Sequence, residues 1–454
     1  MNAHRSVCLP TLLLAACGAG TTVGTPTLDY GGELLLRVGE PVAVAGAYAT
    51  GSDFVALPPL PAGLQVDPAN GAITGTPTAV AAGQDYFVQG RVGDRVVGAQ
   101  VHLAVGPALP AEVTSLEAGF AIATVAELPV HPAKLAIAPD GRAFVTELAS
   151  GVVRVIAADG SLQATPFATV PVANGSHRGL LGIALSPHFA DDGLVFACAC
   201  DPGTTTVPVH GVLYRWRDVG GLGVEQTVLR DDLPVATLDN GGALCFDATG
   251  MLLLTVGDTE DPALAQDDGS FAGKILRLDP SDGSAAAGNP VDGDPVVAKG
   301  LRNTFAIARD PATDLVWFAD NGPTTDDELN LLQPGRNYEW GAPPDVGFGA
   351  LTGTRLRLWP EVVVPTGVAF RDAADALDWP DAYDGSVYVA LYGDEVVRRF
   401  ERSGPLRTDL DREVDFVTFL PDANRQKPLD VQRGPDGRLW VLTFTHVYRI
   451  DRIR

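Results

Sequence analysis

The sequence predicts an all-β protein in two parts, a small Ig-like β-sandwich followed by a six-bladed β-propeller. Apolar residues come in short runs, broken by 51 Gly and 35 Pro among 454 residues, and no stretch keeps a helical period. A turn flanked by apolar strands recurs six times, at Pro139-Asp140-Gly141, Pro187, Asp247, Asp310-Pro311, Asp372 and Pro435-Asp436-Gly437. Repeats of this length built only from strands are the mark of propeller blades, which stack around an axis and hide their sheet edges. With 46% hydrophobic and 19% charged residues the chain can fill such a core, and disorder is excluded.

Residues 1–17 join a short polar start carrying Arg5 to Leu12-Leu13-Leu14 and the small Ala15-Ala16 before Cys17. A basic start, a short apolar stretch and small residues describe a secretory signal, too short to span a bilayer. Leu14-Ala15-Ala16-Cys17 also resembles the bacterial lipobox. That resemblance implies lipidation of Cys17 and an exported cell-envelope lipoprotein, periplasmic or on the outer surface, touching membrane only through its anchor. A Gly/Thr-rich spacer, 18–27, follows. Residues 28–106 read as the sandwich, and the stretch from Leu60-Pro61-Ala62-Gly63-Leu64 to Gly71-Ala72-Ile73-Thr74-Gly75-Thr76-Pro77 resembles the Ig-like and cadherin-like modules of bacterial surface proteins. It offers turn residues and no clustered titratable groups, so it implies a spacer or adhesion module. Pro107 and Pro110 punctuate a linker, 107–117, and the propeller occupies 118–454. Strand 120–125 is expected to complete the last blade and close the ring.

Lys and Arg number 32 against 56 Asp and Glu, a formal charge of −24. Such a surface repels phosphates and excludes nucleic acid as a partner. No later segment reaches the ~20 apolar residues of a membrane-spanning helix. Of the five cysteines, Cys8 and Cys17 fall in the leader. Cys198 and Cys200 share one face of a strand and cannot easily bond each other. One of them could pair with Cys245, but three small buried thiols are the favoured reading.

Propellers place functional groups in loops at one end of their channel, so the polar segments that interrupt the blades carry the chemistry. These are Arg178-Gly179-Leu180-Leu181-Gly182, Thr255-Val256-Gly257-Asp258, Gly273-Lys274-Ile275-Leu276-Arg277, Gly300-Leu301-Arg302-Asn303, Asn321-Gly322-Pro323, Asp326-Asp327-Glu328-Leu329-Asn330 and Gly335-Arg336-Asn337-Tyr338-Glu339-Trp340-Gly341. In order and content they resemble the glucose/sorbosone dehydrogenase family, over nearly all of the propeller. The resemblance implies a pyrroloquinoline quinone (PQQ)-dependent sugar dehydrogenase, with a small-molecule aldose as substrate and calcium beside the quinone.

By motif, Arg302 and Asn303 stand where the family contacts its cofactor, and Lys427 occupies a place usually held by Arg. Gly322 and Pro323 stand where backbone carbonyls take the cofactor-side calcium, and Glu328 with the Tyr338 carbonyl matches a second, structural calcium site. Calcium takes oxygen ligands, and Arg offers planar donors to carboxylate. The departures are equally definite. The family's catalytic His, which opens a His-Asn-Gly-Gly turn, is here Asp239 in Asp239-Asn240-Gly241-Gly242. A carboxylate at its ordinary pKa of ~3.9 is a weak base at neutral pH, and Asp258, matching a family carboxylate nearby, could raise it by repulsion. His177 replaces a cofactor-contacting Gln, and Gly393 a cofactor-contacting Lys. The alternative is therefore a non-catalytic, calcium-stabilised extracytoplasmic propeller that binds a glycan or protein partner. A calcium-dependent lactone or ester hydrolase is a third reading, disfavoured by the order of the motifs.

Overall fold

The computed structural model describes residues 28–45, 51–342, 355–372, 374–375, 379–421 and 426–454. The leader, Cys17 and the spacer lie outside the described residues. The architecture is all-β. Among the described residues the only helical turns are Phe189–Asp192 and Asp381–Tyr383.

The chain divides into two compact units. The first comprises residues up to Leu34 with Pro41–Thr76 and Gln84–Leu103, and the second comprises Leu35–Glu40, Pro77–Gly83 and Ala104–Arg454. The N-terminal region holds a four-stranded sheet in the order Glu33–Arg37, Arg95–Gly106, Ala81–Val92, Ser52–Leu57, and a three-stranded one in the order Val42–Val44, Ile73–Gly75, Leu64–Val66. Phe54, Ile73, Tyr86, Val88 and Val101 are buried there.

Among the described residues the second unit holds six sheets of four antiparallel strands, two of them extended by a fifth, which in the third sheet runs parallel to its neighbour. Their first strands are β1 (Pro132–Ile137), β2 (Leu180–Leu185), β3 (Gly241–Phe246), β4 (Thr304–Arg309), β5 (Pro365–Phe370) and β6 (Pro428–Arg433). Each packs on the next, and β6 packs on β1. Each of the six recurring turns links a first strand to the second of its sheet, and Asp140, Asp247, Asp310, Asp372 and Asp436 accept backbone N–H bonds two residues on, or four in the case of Met251. The recurrence in the sequence is thus a turn chemistry shared by five sheets, and in the second Ser186 Oγ accepts from His188 N beside Pro187 in its place. Phe120–Glu127 pairs with His446–Arg452 as the last strand of the sixth sheet, as the apolar run at 120–125 predicts.

Burial follows the same succession. One apolar cluster joins the first and second sheets through Phe144 and Trp216, others join each later pair, and the last joins the sixth to the first through Trp440, Leu442, Leu135 and Val145. All six first strands also contribute to one small cavity of about 20 Å³, lined by Lys134, Ile183, Ala243, Leu244, Ala306, Ile307, Gly367, Val368, Asp430 and Gln432. Cys198, Cys200 and Cys245 are free thiols. Burial pushes all three up from the ordinary thiol range, which makes them inert packing groups.

Candidate functional site

The first strands begin where the polar motifs end. His177-Arg178 precedes β2, Asp239-Asn240 precedes β3, Arg302-Asn303 precedes β4 and Lys427 precedes β6. The second strands Leu252–Val256 and Val316–Asp320 run the other way, so Asp258 and Asn321-Gly322 follow them to the same end.

Backbone contacts lock these loops together. Asp258 N donates to Arg302 O at 2.7 Å, Thr259 N to Asp239 O at 3.1 Å and Asn321 N to Asn303 O at 3.2 Å. Gly257 sits between them. A Cβ there would lie 2.0 Å from Asp239 O and 3.1 Å from Arg302 O, so only glycine lets the loops approach this closely. Side chains add cross-links: Gly241 N donates to Asn303 Oδ1 at 3.2 Å, and Asn240 Nδ2 to the His177 carbonyl at 3.1 Å.

At the centre is Arg302. Its Nη2 donates to Asp239 Oδ2 at 2.7 Å, and its Nη1 donates to the carbonyls of Asn321 at 3.0 Å and Gly322 at 3.1 Å. The guanidinium lies over the Trp340 ring, whose Nε1 donates to Asp258 Oδ2 at 2.7 Å. Burial raises the Asp239 carboxyl above its ordinary range, against the opposing charges of Arg302 and His177 and with a smaller push from Glu260. Burial likewise raises Asp258, against the Trp340 bond, and the negative charge of Asp239 adds to the rise. The like charge on Asp239 itself comes from Glu260, a residue the sequence did not single out.

Asp239, Asp258, Arg302, Asn303 and Gly322 are thus brought together, with the exposed His177 beside Asp239. Pro323 follows Gly322 in the same loop. Lys427 has its own partners, Glu395 Oε1 at 3.3 Å and the Tyr392 ring at 4.7 Å. Gly393 is packed against backbone, where a Cβ would meet the carbonyls of Val362 and Val363 at 2.9 Å. Glu328 pairs with Arg355 at 2.9 Å and accepts from Asn330 at 3.1 Å. Tyr338 belongs to a separate set, its hydroxyl donating to Leu331 O at 2.6 Å and its backbone N donating to Lys299 O at 2.8 Å.

Two buried charged residues near the site escaped the motif reading. Asp320 ends the strand before Asn321 and accepts from Arg302 N at 2.9 Å, Asn303 N at 2.8 Å and Thr304 Oγ1 at 3.0 Å, so it shapes the Arg302-Asn303 turn. Burial pushes its carboxyl up to about 7. Lys134 lines the cavity below the loops, and the available signal was a lone charge inside the apolar run Pro132-Ala133-Lys134-Leu135-Ala136-Ile137.

The residues suit an anionic planar ligand. Arg302 and Lys427 are cations at this end of the sheets, each held by a carboxylate that a ligand carboxylate can replace. The fit to calcium is conditional, because Arg302 already engages the Gly322 carbonyl. Among the described residues no group of three or more His, Cys, Asp or Glu is placed to hold a metal.

The family model described as glucose/sorbosone dehydrogenase matches residues 130–449, and the one described as "Putative Ig domain" matches 40–96. The chain is 27% identical over 337 residues to aldose sugar dehydrogenase YliI of Escherichia coli K12, covering 69% of this chain and 87% of that one. It is 28% identical over 240 residues to quinoprotein glucose dehydrogenase B of Acinetobacter calcoaceticus, covering 46% of this chain and 50% of that one. The PQQ-bound structure of aldose sugar dehydrogenase from Streptomyces coelicolor superposes with a TM-score of 0.60 at 26% identity, over 74% of this chain and 99% of that one.

Proposed function

From its place in the glucose/sorbosone dehydrogenase family, to which this chain belongs, we propose that it is a PQQ-dependent aldose dehydrogenase. The observation that carries the proposal is the convergence of Arg302 on the buried Asp239 at 2.7 Å, at the end of the sheets where Asn303 and Asp258 also lie. The six sheets, joined through six shared cores, support a six-bladed β-propeller over 118–454, and the two N-terminal sheets support an Ig-like sandwich over 28–106. An exported lipoprotein anchored at Cys17, with 18–27 as spacer and 107–117 as linker, completes the reading from the sequence.

Arg302, Asn303 and Lys427 would hold the quinone, with the exposed His177 at the rim. Once bound, the quinone supplies a two-electron hydride acceptor. The chain's own part is to take the proton of the sugar hydroxyl as the carbon gives up its hydride. Asp239 is the base, and its carboxylate takes the proton. Burial raises its proton affinity above that of a free carboxylate, which brings a weak base closer to working pH. Asp258, fixed by Trp340 and the Glu260 amide, holds a second negative charge near it. Calcium at the Gly322 and Pro323 carbonyls joins this arrangement only when Arg302 has left the Gly322 oxygen. Glu328 with the Tyr338 carbonyl is kept as the second calcium site only if Arg355 yields the carboxylate.

The test is a calorimetric titration of the purified protein with quinone in the presence of calcium, followed by dye reduction with aldoses. Binding that Arg302→Ala removes, together with aldose-dependent dye reduction, is the expected result. The close packing of Gly393, where a cofactor-contacting Lys is expected, favours a second reading, a non-catalytic propeller that binds a glycan or protein. No quinone binding with calcium present would leave that reading and overturn the dehydrogenase.

A further inference from the structure

The loop 257–273 joins Leu252–Val256 to Lys274–Leu278 in the third sheet and carries Asp258 at its start. It contains successive tight turns, in which the backbone N of Leu264, Ala265, Gln266 and Asp267 each donates to the carbonyl three residues back. Lys274 anchors the end of that run. Its side chain is fully buried, and its Nζ donates to Leu264 O at 2.9 Å, Ala265 O at 3.1 Å and Ala272 O at 2.7 Å. An ammonium has three protons and accepts nothing, so each proton here has one carbonyl.

The loop reaches the candidate site from both sides of this anchor. Toward its start, Leu264 N donates to Asp261 O at 3.0 Å and Asp261 N to Asp258 O at 3.2 Å. Beyond Ala265, Gln266 Nε2 donates to Trp340 O at 2.6 Å and to Asn337 Oδ1 at 3.1 Å. Ala265 O also accepts from Gly300 N at 3.1 Å, and Trp340 N donates to Gly300 O at 3.0 Å. Trp340 closes the circuit, because its indole N–H holds Asp258 and its ring lies under the Arg302 guanidinium.

We propose that Lys274 is a positioning residue, whose ammonium fixes the loop 257–273 and, through Gln266 and Asp258, sets Trp340 against Arg302. Its effect on turnover rests on the dehydrogenase reading, whereas the arrangement itself belongs to the ligand-free chain. Burial lowers the Lys274 pKa to about 8, with a push from Lys299 on the paired strand and against the pull of Asp268 and Asp267 in the loop. The strand on its other side, Leu252–Val256, carries no charge. The remaining charges on the segments bonded to the loop are Asp258, Glu260, Asp261, Arg302 and Glu339. A neutral amine keeps two protons for three carbonyls and turns its lone pair to the third, so the anchor weakens as pH rises through that value.

The test labels the full ligand-free chain with fluorotryptophan and follows its six tryptophans by fluorine NMR, the signal lost in Trp340→Phe being that of Trp340. Lys274→Met is expected to shift the Trp340 signal and to leave those of Trp216 and Trp379, packed in other cores, in place. With quinone and calcium added, the same variant should lose about tenfold to a hundredfold in kcat, the scale of a small misplacement in a site. An unmoved Trp340 signal in folded Lys274→Met, a displacement of all the signals alike, or a shift with kcat unchanged overturns the proposal. A wild type that oxidises no aldose retires the dehydrogenase reading instead, and the Trp340 signal alone then decides the role of Lys274. Should Lys274→Met fail to fold, a titration of the wild type decides. Its Trp340 signal should move with a midpoint near pH 8, and a constant position across about 1.5 pH units on either side overturns the proposal.

Discussion

The ammonium of Lys134 lies 4.4 Å from the centroid of the Phe305 ring, although one residue stands on β1 and the other on β4, three sheets away in either direction around the succession. The same Nζ donates to the Thr366 carbonyl on β5 and pairs with Asp430 of β6 at 3.6 Å. One side chain therefore ties four of the six first strands, just below the loops that carry the candidate site. Burial lowers the Lys134 pKa and raises that of Asp430, while their mutual attraction opposes both changes.

Removing one partner of this pair should cost far more than removing the charge of both. Lys134→Met leaves Asp430 buried without a counter-ion, and is expected to lower the unfolding free energy by about 3 to 5 kcal/mol at neutral pH. Adding Asp430→Asn removes the stranded charge, and its single amide oxygen still accepts one of the two bonds that the Leu135 and Val431 amides donate to separate carboxylate oxygens. The double variant should recover at least half the loss in urea unfolding. A double variant no more stable than Lys134→Met would show that lost packing against Phe305 dominates.

Asp320 should make stability depend on pH near neutrality. Its folded pKa is about 7 because of burial, against an ordinary value of 3.8. The folded state therefore holds a proton that the unfolded chain has released between about pH 4 and 7. The contribution is present at the acid end and is lost as pH rises, with a slope of at most about 1.4 kcal/mol per pH unit. Asp320→Asn, neutral throughout, should flatten the curve of Tm against pH over that window. An unchanged curve would place the folded pKa of Asp320 near its ordinary value.

The repeat was readable because a turn residue follows the first strand of every sheet, Asp in five of them and Pro187 in the second, and its chemistry acts locally even where the connection is longer, as in the second and fifth sheets. Arg302, Asn303 and Asp239 were readable because they sit in motifs at strand ends. Asp320 and Lys134 were not, since their importance comes from residues distant in the chain: Asp320 matters through the amides of Arg302 and Asn303, and Lys134 through Phe305, Thr366 and Asp430. No local pattern encodes a cavity assembled from six strands. The ion pair of Arg302 with Asp239 was hidden for the same reason, as the two residues are 63 apart in sequence. Two motifs had been assigned separate roles, and the fold makes them partners.

If Asp239 is the base, turnover must rise with pH through its folded pKa, because only the carboxylate accepts a proton. Burial places that limb above the ordinary range, and Arg302 and His177 pull it back. Asp239→Asn should lower kcat by at least about 10²-fold, the usual share of a general base. Asp239→His should keep or increase turnover and move the acid limb toward the imidazole range of ~6.5. The profile of kcat/KM against pH for the three proteins reads both effects, and a limb that does not move with the substitution would remove Asp239 from the role.

Gly182 of β2 tests whether contact between successive first strands also positions the site. A Cβ on Gly182 would lie 1.9 Å from Gly242 O of β3, with nothing flexible to give way. Gly182→Ala must push the two strands apart and is expected to cost about 1 to 3 kcal/mol by overpacking. Gly250→Ala is the control: its φ of +81° is unfavourable for alanine, but nothing lies within 4 Å, so only a backbone cost of about 1 kcal/mol applies. The two variants should also differ in the site. Gly242 follows Gly241, whose N–H holds Asn303 Oδ1, and Asp239-Asn240 immediately precedes it. A shift of Gly242 therefore pulls on both Asp239 and Asn303, whereas Gly250 lies in the turn beyond the far end of β3. Gly182→Ala should weaken binding of quinone or its turnover in the fraction that remains folded, and Gly250→Ala should leave both unchanged. Equal effects of the two on the site would mean that β2–β3 packing sets stability alone.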